Sequence, residues 1–180
     1  MNHSKIAVRY ARALFDLASE KKQEEKVYES MQGIMAVLSH VPEVKKVLQS
    51  PVVEGARKKE IVTQIFTSAD KLSLEFLYFL IRQKREASLE EIVRQFIFLY
   101  KQSKGILDAV VYTAIPLPEE MLNKIKNVLK QKYKEVDLTN SVNPSLIGGY
   151  VLQFNDVQFD ASVVAKLKRI KTEFDNTVIK

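Results

Sequence analysis

Apolar side chains recur every three or four residues from the N-terminus to about Lys104, which is the spacing of amphipathic α-helices. The run from Ile106 to Thr113 is the first in which the pattern becomes strand-like. Gly105 lies between the two patterns and suits the end of a helix. We therefore predict a mostly α chain with two domains, residues 1–104 and 105–180.

Capping residues, prolines and glycines divide the first domain into six predicted helices. Ser4 suits the N-cap of the first helix, and Pro42 and Pro51 bound the short third helix. We expect the helices at about residues 4–21, 24–39, 42–50, 54–66, 71–84 and 88–103.

The second domain mixes strands and helices, which predicts a smaller α+β fold. One helix follows Pro118, and Asn155-Asp156 is expected to form a turn. We expect strands at about residues 106–114, 136–142 and 149–154, a short strand leading to residue 159, and a last helix at about 162–174.

Composition excludes several kinds of site. The chain has no cysteine, so neither a disulfide nor a thiolate metal site can form. Its two histidines, His3 and His40, are far apart, and no phosphate-binding loop or zinc-protease motif occurs. We therefore predict no enzymatic activity and no catalytic, cofactor-binding or metal-binding residues.

Most of the net charge of +6 lies on the first domain, which has 18 basic and 13 acidic residues. Pairs such as Lys21-Lys22 and Lys84-Arg85 leave a nucleic-acid-binding protein as one alternative. Most basic residues are interleaved with glutamates, however, which is typical of a solvated helix face.

No signal peptide and no apolar run of about 20 residues is present, so we expect a cytoplasmic chain without a transmembrane segment.

The first and fifth predicted helices are apolar over more of their surface than one core contact requires. In the first helix two apolar stripes lie side by side, and in the fifth a second stripe lies on the far side of the helix. The outer stripes comprise Ile6, Tyr10, Ala13, Leu14 and Leu17 in the first helix, and Leu72, Phe76, Phe79, Leu80 and Gln83 in the fifth. Either these helices are buried in the middle of the domain, or one stripe of each lines a groove for a partner helix.

The segment from Val142 to Leu167 contains two of the chain's five glycines, Gly148 and Gly149, just before a predicted strand. Adjacent glycines at this position indicate backbone that a Cβ would obstruct. Asp160 and Ser162 follow the strands and suit the cap of the last helix.

Two segments resemble one family, the delta subunit of bacterial F-type ATP synthases, which is called OSCP in mitochondria. The motif YARALF at Tyr10–Phe15 is similar to the family's opening helix, and Val142–Leu167 is similar to its C-terminal signature. The resemblance implies an N-terminal six-helix bundle followed by a smaller α+β C-terminal domain. It also implies that the two outer stripes form the groove for the N-terminal helix of an alpha subunit, with Ala7, Ala11 and Ala13 allowing close approach. The signature residues Gly148, Gly149, Asp160 and Ser162 are expected to be structural.

The function implied by this resemblance is that of a non-catalytic stator connector. It would link the catalytic alpha/beta head to the b subunits of the peripheral stalk, so that rotor torque is resisted during ATP synthesis. The chain would lie at the cytoplasmic face of the membrane, associated with it only through the complex, and would bind no nucleic acid. Three positions depart from the family pattern: Asn143 replaces an acidic residue, Asn155 a glycine, and Val164 an arginine. A helical scaffold with unrelated partners is the third alternative.

Overall fold

The computed structural model describes residues 5–154 and 157–178. The predicted cap Ser4 and the predicted turn at Asn155 and Asp156 lie outside these residues. The chain divides into two compact units, Met1–Tyr100 and Lys101–Lys180. The structure confirms a mostly helical chain with a small sheet in its C-terminal part. Among the described residues, no helix combines the length and the apolar character needed to cross a membrane.

The first unit consists of helices, and each begins close to its predicted position. The helices are α1 (Lys5–Glu20), α2 (Glu24–His40), α3 (Pro42–Gln49), α4 (Gly55–Ile65), α5 (Lys71–Arg82), a short 3-10 helix (Glu86–Ser88) and α6 (Leu89–Lys104). The last four residues of α6 belong to the second unit. Asp70 caps α5, because its carboxylate accepts hydrogen bonds from the backbone N–H groups of Leu72 and Ser73 at 2.8 and 3.2 Å.

One apolar cluster holds the first unit together. Its largest fully buried side chains include Leu14, Met31, Ile34, Leu77 and Phe96, which come from α1, α2, α5 and α6. Each such side chain stabilises the fold by about 1.5–3 kcal/mol through its removal from water. The helices are therefore fixed against one another chiefly by the apolar face that each turns inward.

The second unit contains a four-stranded mixed sheet. Its elements are β1 (Ile106–Thr113), α7 (Glu119–Leu129), β2 (Glu135–Val142), β3 (Tyr150–Phe154), β4 (Val157–Asp160) and α8 (Val163–Val178). The strand order is β2-β1-β3-β4, with β1 parallel to β2 and antiparallel to β3, and with β3 antiparallel to β4. A parallel pair needs a crossover connection, and α7 supplies it between β1 and β2.

The core of the second unit is small. Alternate residues of β1 face the same side of the sheet, and Leu107, Ala109 and Val111 are buried there. Among the described residues, Val136 and Leu152 complete the buried apolar set, and α7 packs its apolar stripe against this cluster. Because few buried side chains stabilise this unit, each other contact within it contributes a larger share of its total stability.

Candidate functional site

Helix α1 turns three of its four alanines toward the core. Ala7, Ala11 and Ala18 are fully buried, together with Leu14. Small residues on one face allow neighbouring helices to pack closely. The prediction that Ala7 and Ala11 admit a guest helix is therefore wrong, because both side chains lie inside the first unit.

The other stripe of α1 remains accessible. Ile6 and Tyr10 are half-buried, whereas Ala13 and Leu17 are exposed. Leu14, which the sequence pattern placed in the same stripe, is 1% exposed and belongs to the core. The four accessible side chains follow one another along a single face of the helix.

Helix α5 divides in the same way. Leu72 and Leu80 are buried in the core, so they are not accessible to a partner. Phe76 is half-buried, and Phe79 and Gln83 are exposed. The exposed fraction of Phe79 is 37%, which is high for a large aromatic side chain on an otherwise well-packed helix.

Aromatic contacts bring the accessible stripes of the two helices together. The rings of Tyr10 and Phe79 are 6.0 Å apart between centroids and tilted by 50°. Phe76 lies beside Phe79 at 6.5 Å. We refer to the accessible patch as the α1/α5 surface, and it comprises Ile6, Tyr10, Ala13, Leu17, Phe76, Phe79 and Gln83.

Two arginines lie beside these rings. The guanidinium carbon of Arg9 is 5.7 Å from the centroid of Tyr10, and that of Arg82 is 5.7 Å from the centroid of Phe79. Arg9 and Arg82 are not among the partner-binding residues predicted from the sequence. Helical periodicity predicts the side of a helix from which a side chain projects. It does not predict that a guanidinium group will lie over an aromatic ring, because that contact forms only on the folded surface.

The glycine pair of the second unit holds the start of α8 against β3. Gly149 has a φ of +79°, and a Cβ at this position would lie 2.4 Å from the carbonyl oxygen of Ala161. The N–H of Ala161 donates to the carbonyl of Tyr150 at 2.9 Å, and the N–H of Val163 donates to that of Gly148 at 3.0 Å. The structure thus confirms that a Cβ would obstruct the backbone at Gly149.

Asp160 and Ser162 begin helix α8. The N–H of Ser162 donates to Oδ1 of Asp160 at 2.9 Å, and the N–H of Ala165 donates to Oγ of Ser162 at 3.2 Å. Hydrogen bonds from the side chain and backbone of Ser162 hold the pKa of the Asp160 carboxyl below its usual range. Ser162 therefore caps α8 as expected from the sequence, whereas Asp160 holds the backbone N–H of this capping residue.

Asn143 has a comparable local role. Its Oδ1 accepts hydrogen bonds from the N–H of Ser145 at 3.1 Å and from the hydroxyl of Ser145 at 2.7 Å. Only acceptor capacity is used here, and a carboxylate oxygen has the same capacity. Asparagine in place of the usual acidic residue is therefore compatible with this turn.

Helix α8 exposes an apolar stripe flanked by cations. Val163, Leu167 and Ile170 follow at helical spacing, and Leu167 is 58% exposed. Lys166, Lys168 and Arg169 are exposed beside them. This combination gives the second unit an accessible, positively charged amphipathic face.

The first unit also contains two open hollows. One, of about 640 Å³, lies between α2 and the segment that connects α4 to α5. The other, of about 680 Å³, lies beside the start of α4 and the end of α5. Its wall includes an ion pair between Lys58 Nζ and Glu86 Oε1 at 2.5 Å. In the described ranges, no group of His, Asp or Glu side chains is arranged to hold a metal ion.

Comparison with known proteins gives consistent results over nearly the whole chain. Residues 6–174 match the family described as ATP synthase delta (OSCP) subunit. The chain is 33% identical to ATP synthase subunit delta of Cytophaga hutchinsonii over 99% of both chains. It is 31% identical to that of Alkaliphilus oremlandii, over 97% of this chain and 98% of the relative. A chain in the cryo-EM structure of the Toxoplasma gondii mitochondrial ATP synthase hexamer has a similar fold. Its TM-score is 0.79 at 25% identity, covering 95% of this chain and 98% of that one.

Proposed function

The chain belongs to the ATP synthase delta (OSCP) family, and from this we propose that it is the stator connector of a proton-translocating F-type ATP synthase. Subunits of this family are structural and not catalytic. The connector would join the alpha/beta head to the b subunits of the peripheral stalk. The observation that carries the proposal is the family match over almost the full length, together with an accessible apolar surface on α1 and α5.

Rotary catalysis requires such a connector on mechanical grounds. A rotor that applies torque to the head exerts an equal reaction torque, and an untethered head would turn with the rotor. Proton flow would then do no work on the nucleotide sites. A connector therefore needs slowly dissociating contacts at both ends and no chemistry of its own.

The first unit is proposed to be the six-helix bundle of the family, with the α1/α5 surface binding the N-terminal helix of an alpha subunit. Tyr10, Leu17 and Phe79 offer large apolar side chains that a guest helix could cover. Full burial of each would contribute about 1.5–3 kcal/mol. Association costs about 4–15 kcal/mol, so several anchors of this kind have to be covered together.

The second unit is proposed to contact the peripheral stalk. Helix α8 supports this assignment, because Leu167 and Ile170 are accessible and Lys166 and Arg169 flank them. An acidic amphipathic segment of a b subunit would complement this face in both apolar surface and charge. In this arrangement the chain lies at the cytoplasmic face of the membrane and is held there by its partners.

Charge substitutions on the α1/α5 surface test the proposal. We expect Tyr10→Asp and Phe79→Asp to leave the chain folded but to weaken its binding to a peptide copying the alpha N-terminus, since a carboxylate buried against an apolar guest is costly. Phe98→Asp is the matched control, because Phe98 lies on α6 and is 38% exposed, close to the 37% of Phe79.

Circular dichroism would establish folding, and calorimetry would measure peptide affinity. The proposal holds if the Tyr10 and Phe79 variants fold and lose binding while the Phe98 variant retains it. Normal binding by the folded Tyr10 and Phe79 variants would place the alpha-binding surface elsewhere. Equal loss in all three would show that the effect is not specific to this surface.

A further inference from the structure

We propose that Arg9 and Arg82 determine the specificity of the α1/α5 surface by binding a carboxylate of the partner helix beside its apolar stripe. The inference rests on the proposed function of that surface. It adds the charge that the partner helix must carry beside its apolar stripe, which the apolar residues alone do not define.

The two guanidinium groups belong to one cluster. Tyr10 and Phe79 contact each other at 6.0 Å, and each ring has an arginine 5.7 Å from its centroid. This distance is within the range of cation–π attraction. Helices α1 and α5 thus each contribute one aromatic ring and one cation to the α1/α5 surface.

Both arginines keep their donors available. A guanidinium has five N–H donors, and its attraction to a ring face uses none of them. Arg57 is paired with Glu60 and Arg94 with Glu90. Within residues 5–154 and 157–178, by contrast, neither Arg9 nor Arg82 takes part in an ion pair.

An arginine held over a ring is well prepared to bind a carboxylate. The ring contact restricts the side chain before a partner arrives, so less conformational entropy is lost on binding. A guest that covers Tyr10 and Phe79 would also remove water from around both guanidinium groups, which strengthens their attraction to an anion. A basic residue in the same place would be repelled.

These observations define the partner by its chemistry. It is an amphipathic helix with apolar residues at i, i+3 or i+4, and i+7, which cover the α1/α5 surface. Next to this stripe it has aspartate or glutamate residues that reach Arg9 and Arg82. A helix with the same stripe and amides at those positions would bind more weakly.

Peptide binding by the full chain tests this inference. The probes are a peptide that copies the alpha N-terminus and a second copy in which every Asp and Glu is replaced by Asn and Gln. The chain variants are Arg9→Met, Arg82→Met and the double variant, since methionine keeps an apolar stem over the ring but removes the charge. Arg57→Met is the control, because Arg57 is an exposed arginine on α4 that lies outside the α1/α5 surface and pairs with Glu60 of its own helix.

We expect each single variant to bind the acidic peptide about two- to fivefold more weakly, and the double variant about tenfold, which is the range of partly exposed ion pairs. The wild-type chain should discriminate against the amide peptide by a similar factor. The double variant should not discriminate between the peptides, and its affinity should depend less on salt. Arg57→Met should behave as wild type.

Three outcomes would overturn the inference. If the wild-type chain binds both peptides equally, no carboxylate is recognised, and this result does not depend on any variant of the chain. If the wild type discriminates but the folded double variant discriminates equally, other residues bind the acid. If the wild type binds neither peptide, the proposed alpha-binding function fails and this inference fails with it.

Discussion

Replacement of Gly149 by alanine should strongly destabilise the second unit. Gly149 has a φ of +79°, a region that side-chain-bearing residues rarely adopt. A Cβ there would also lie 2.4 Å from the carbonyl oxygen of Ala161 and 2.9 Å from the Cα of Ser162. Both obstructing atoms are backbone, so a side-chain rotation cannot relieve the overlap.

The expected magnitude follows from these two effects. Left-handed backbone costs an L-residue about 1–2 kcal/mol. Displacement of packed backbone to make room costs about a further 1–3 kcal/mol. The sum of about 2–5 kcal/mol is large for a domain of this size, whose total stability is about 4–12 kcal/mol. Since each kcal/mol lowers Tm by about 4–8 °C in a domain of 60–100 residues, we expect a decrease of at least about 8 °C.

Two other glycines separate the two effects. Gly105 has a φ of +72°, but a Cβ there would meet only the side chain of Lys134 at 3.5 Å. A Cβ on Gly148 would meet Val163 Cγ2 at 3.3 Å, and the contact is with a side chain. Gly105→Ala should therefore show the backbone cost alone, and Gly148→Ala should show a smaller effect than Gly149→Ala.

Thermal and urea unfolding of the full chain, followed by circular dichroism, would measure all three variants. The reasoning predicts the largest loss for Gly149→Ala. It is refuted if Gly149→Ala is no less stable than Gly105→Ala, because the steric obstruction by Ala161 and Ser162 would then contribute nothing.

Two further predictions concern ion pairs of the first unit. Lys58→Met should lower the free energy of unfolding in urea by about 3–5 kcal/mol, because it leaves Glu86 without its cation. The double variant Lys58→Met/Glu86→Leu should recover most of this loss, and a double variant as unstable as Lys58→Met would contradict the prediction. The pKa of Glu90 is lowered, chiefly because Lys45 donates a hydrogen bond to its carboxylate at 2.6 Å. The contribution of Glu90 to folding stability is therefore complete above the ordinary glutamate pKa and is lost as the pH falls through the lowered pKa. The stability of Glu90→Gln should therefore fall less on acidification than that of the wild type, by about 1 kcal/mol at most. An acid-unfolding curve identical to that of the wild type would contradict this prediction.

The α1 helix shows how far periodicity alone could predict the surface. The sequence identified two adjacent apolar stripes on this helix, and both are present. It could not decide which stripe is buried, because that depends on the shape of the neighbouring helices. The structure buries the alanine stripe, which permits close packing, and leaves Tyr10 and Leu17 accessible. Leu14 projects between the two stripes and lies in the core.

The glycine pair shows a different limit. Two adjacent glycines before a strand predicted a position without room for a Cβ, and Gly149 confirms this. The sequence could not identify the obstructing atoms, because Ala161 and Ser162 are 12 and 13 positions further along the chain. The sequence did not indicate a binding role for Arg9 and Arg82 for the same reason, since each lies beside one ring of a pair that two separate helices contribute. Local sequence patterns predict the helices and strands and their apolar faces. Contacts between residues of different helices or strands can be identified only from the folded structure.

ATP-driven proton pumping tests the connector function most directly. Vesicles would contain the ATP synthase assembled with the full chain, with residues 1–104 only, or without the chain. The account predicts full pumping with the full chain, little or no pumping in the other two cases, and ATP hydrolysis by the head in all three. Full pumping without the chain, or with residues 1–104 alone, would contradict the proposal that this subunit ties the head to the peripheral stalk through its second unit.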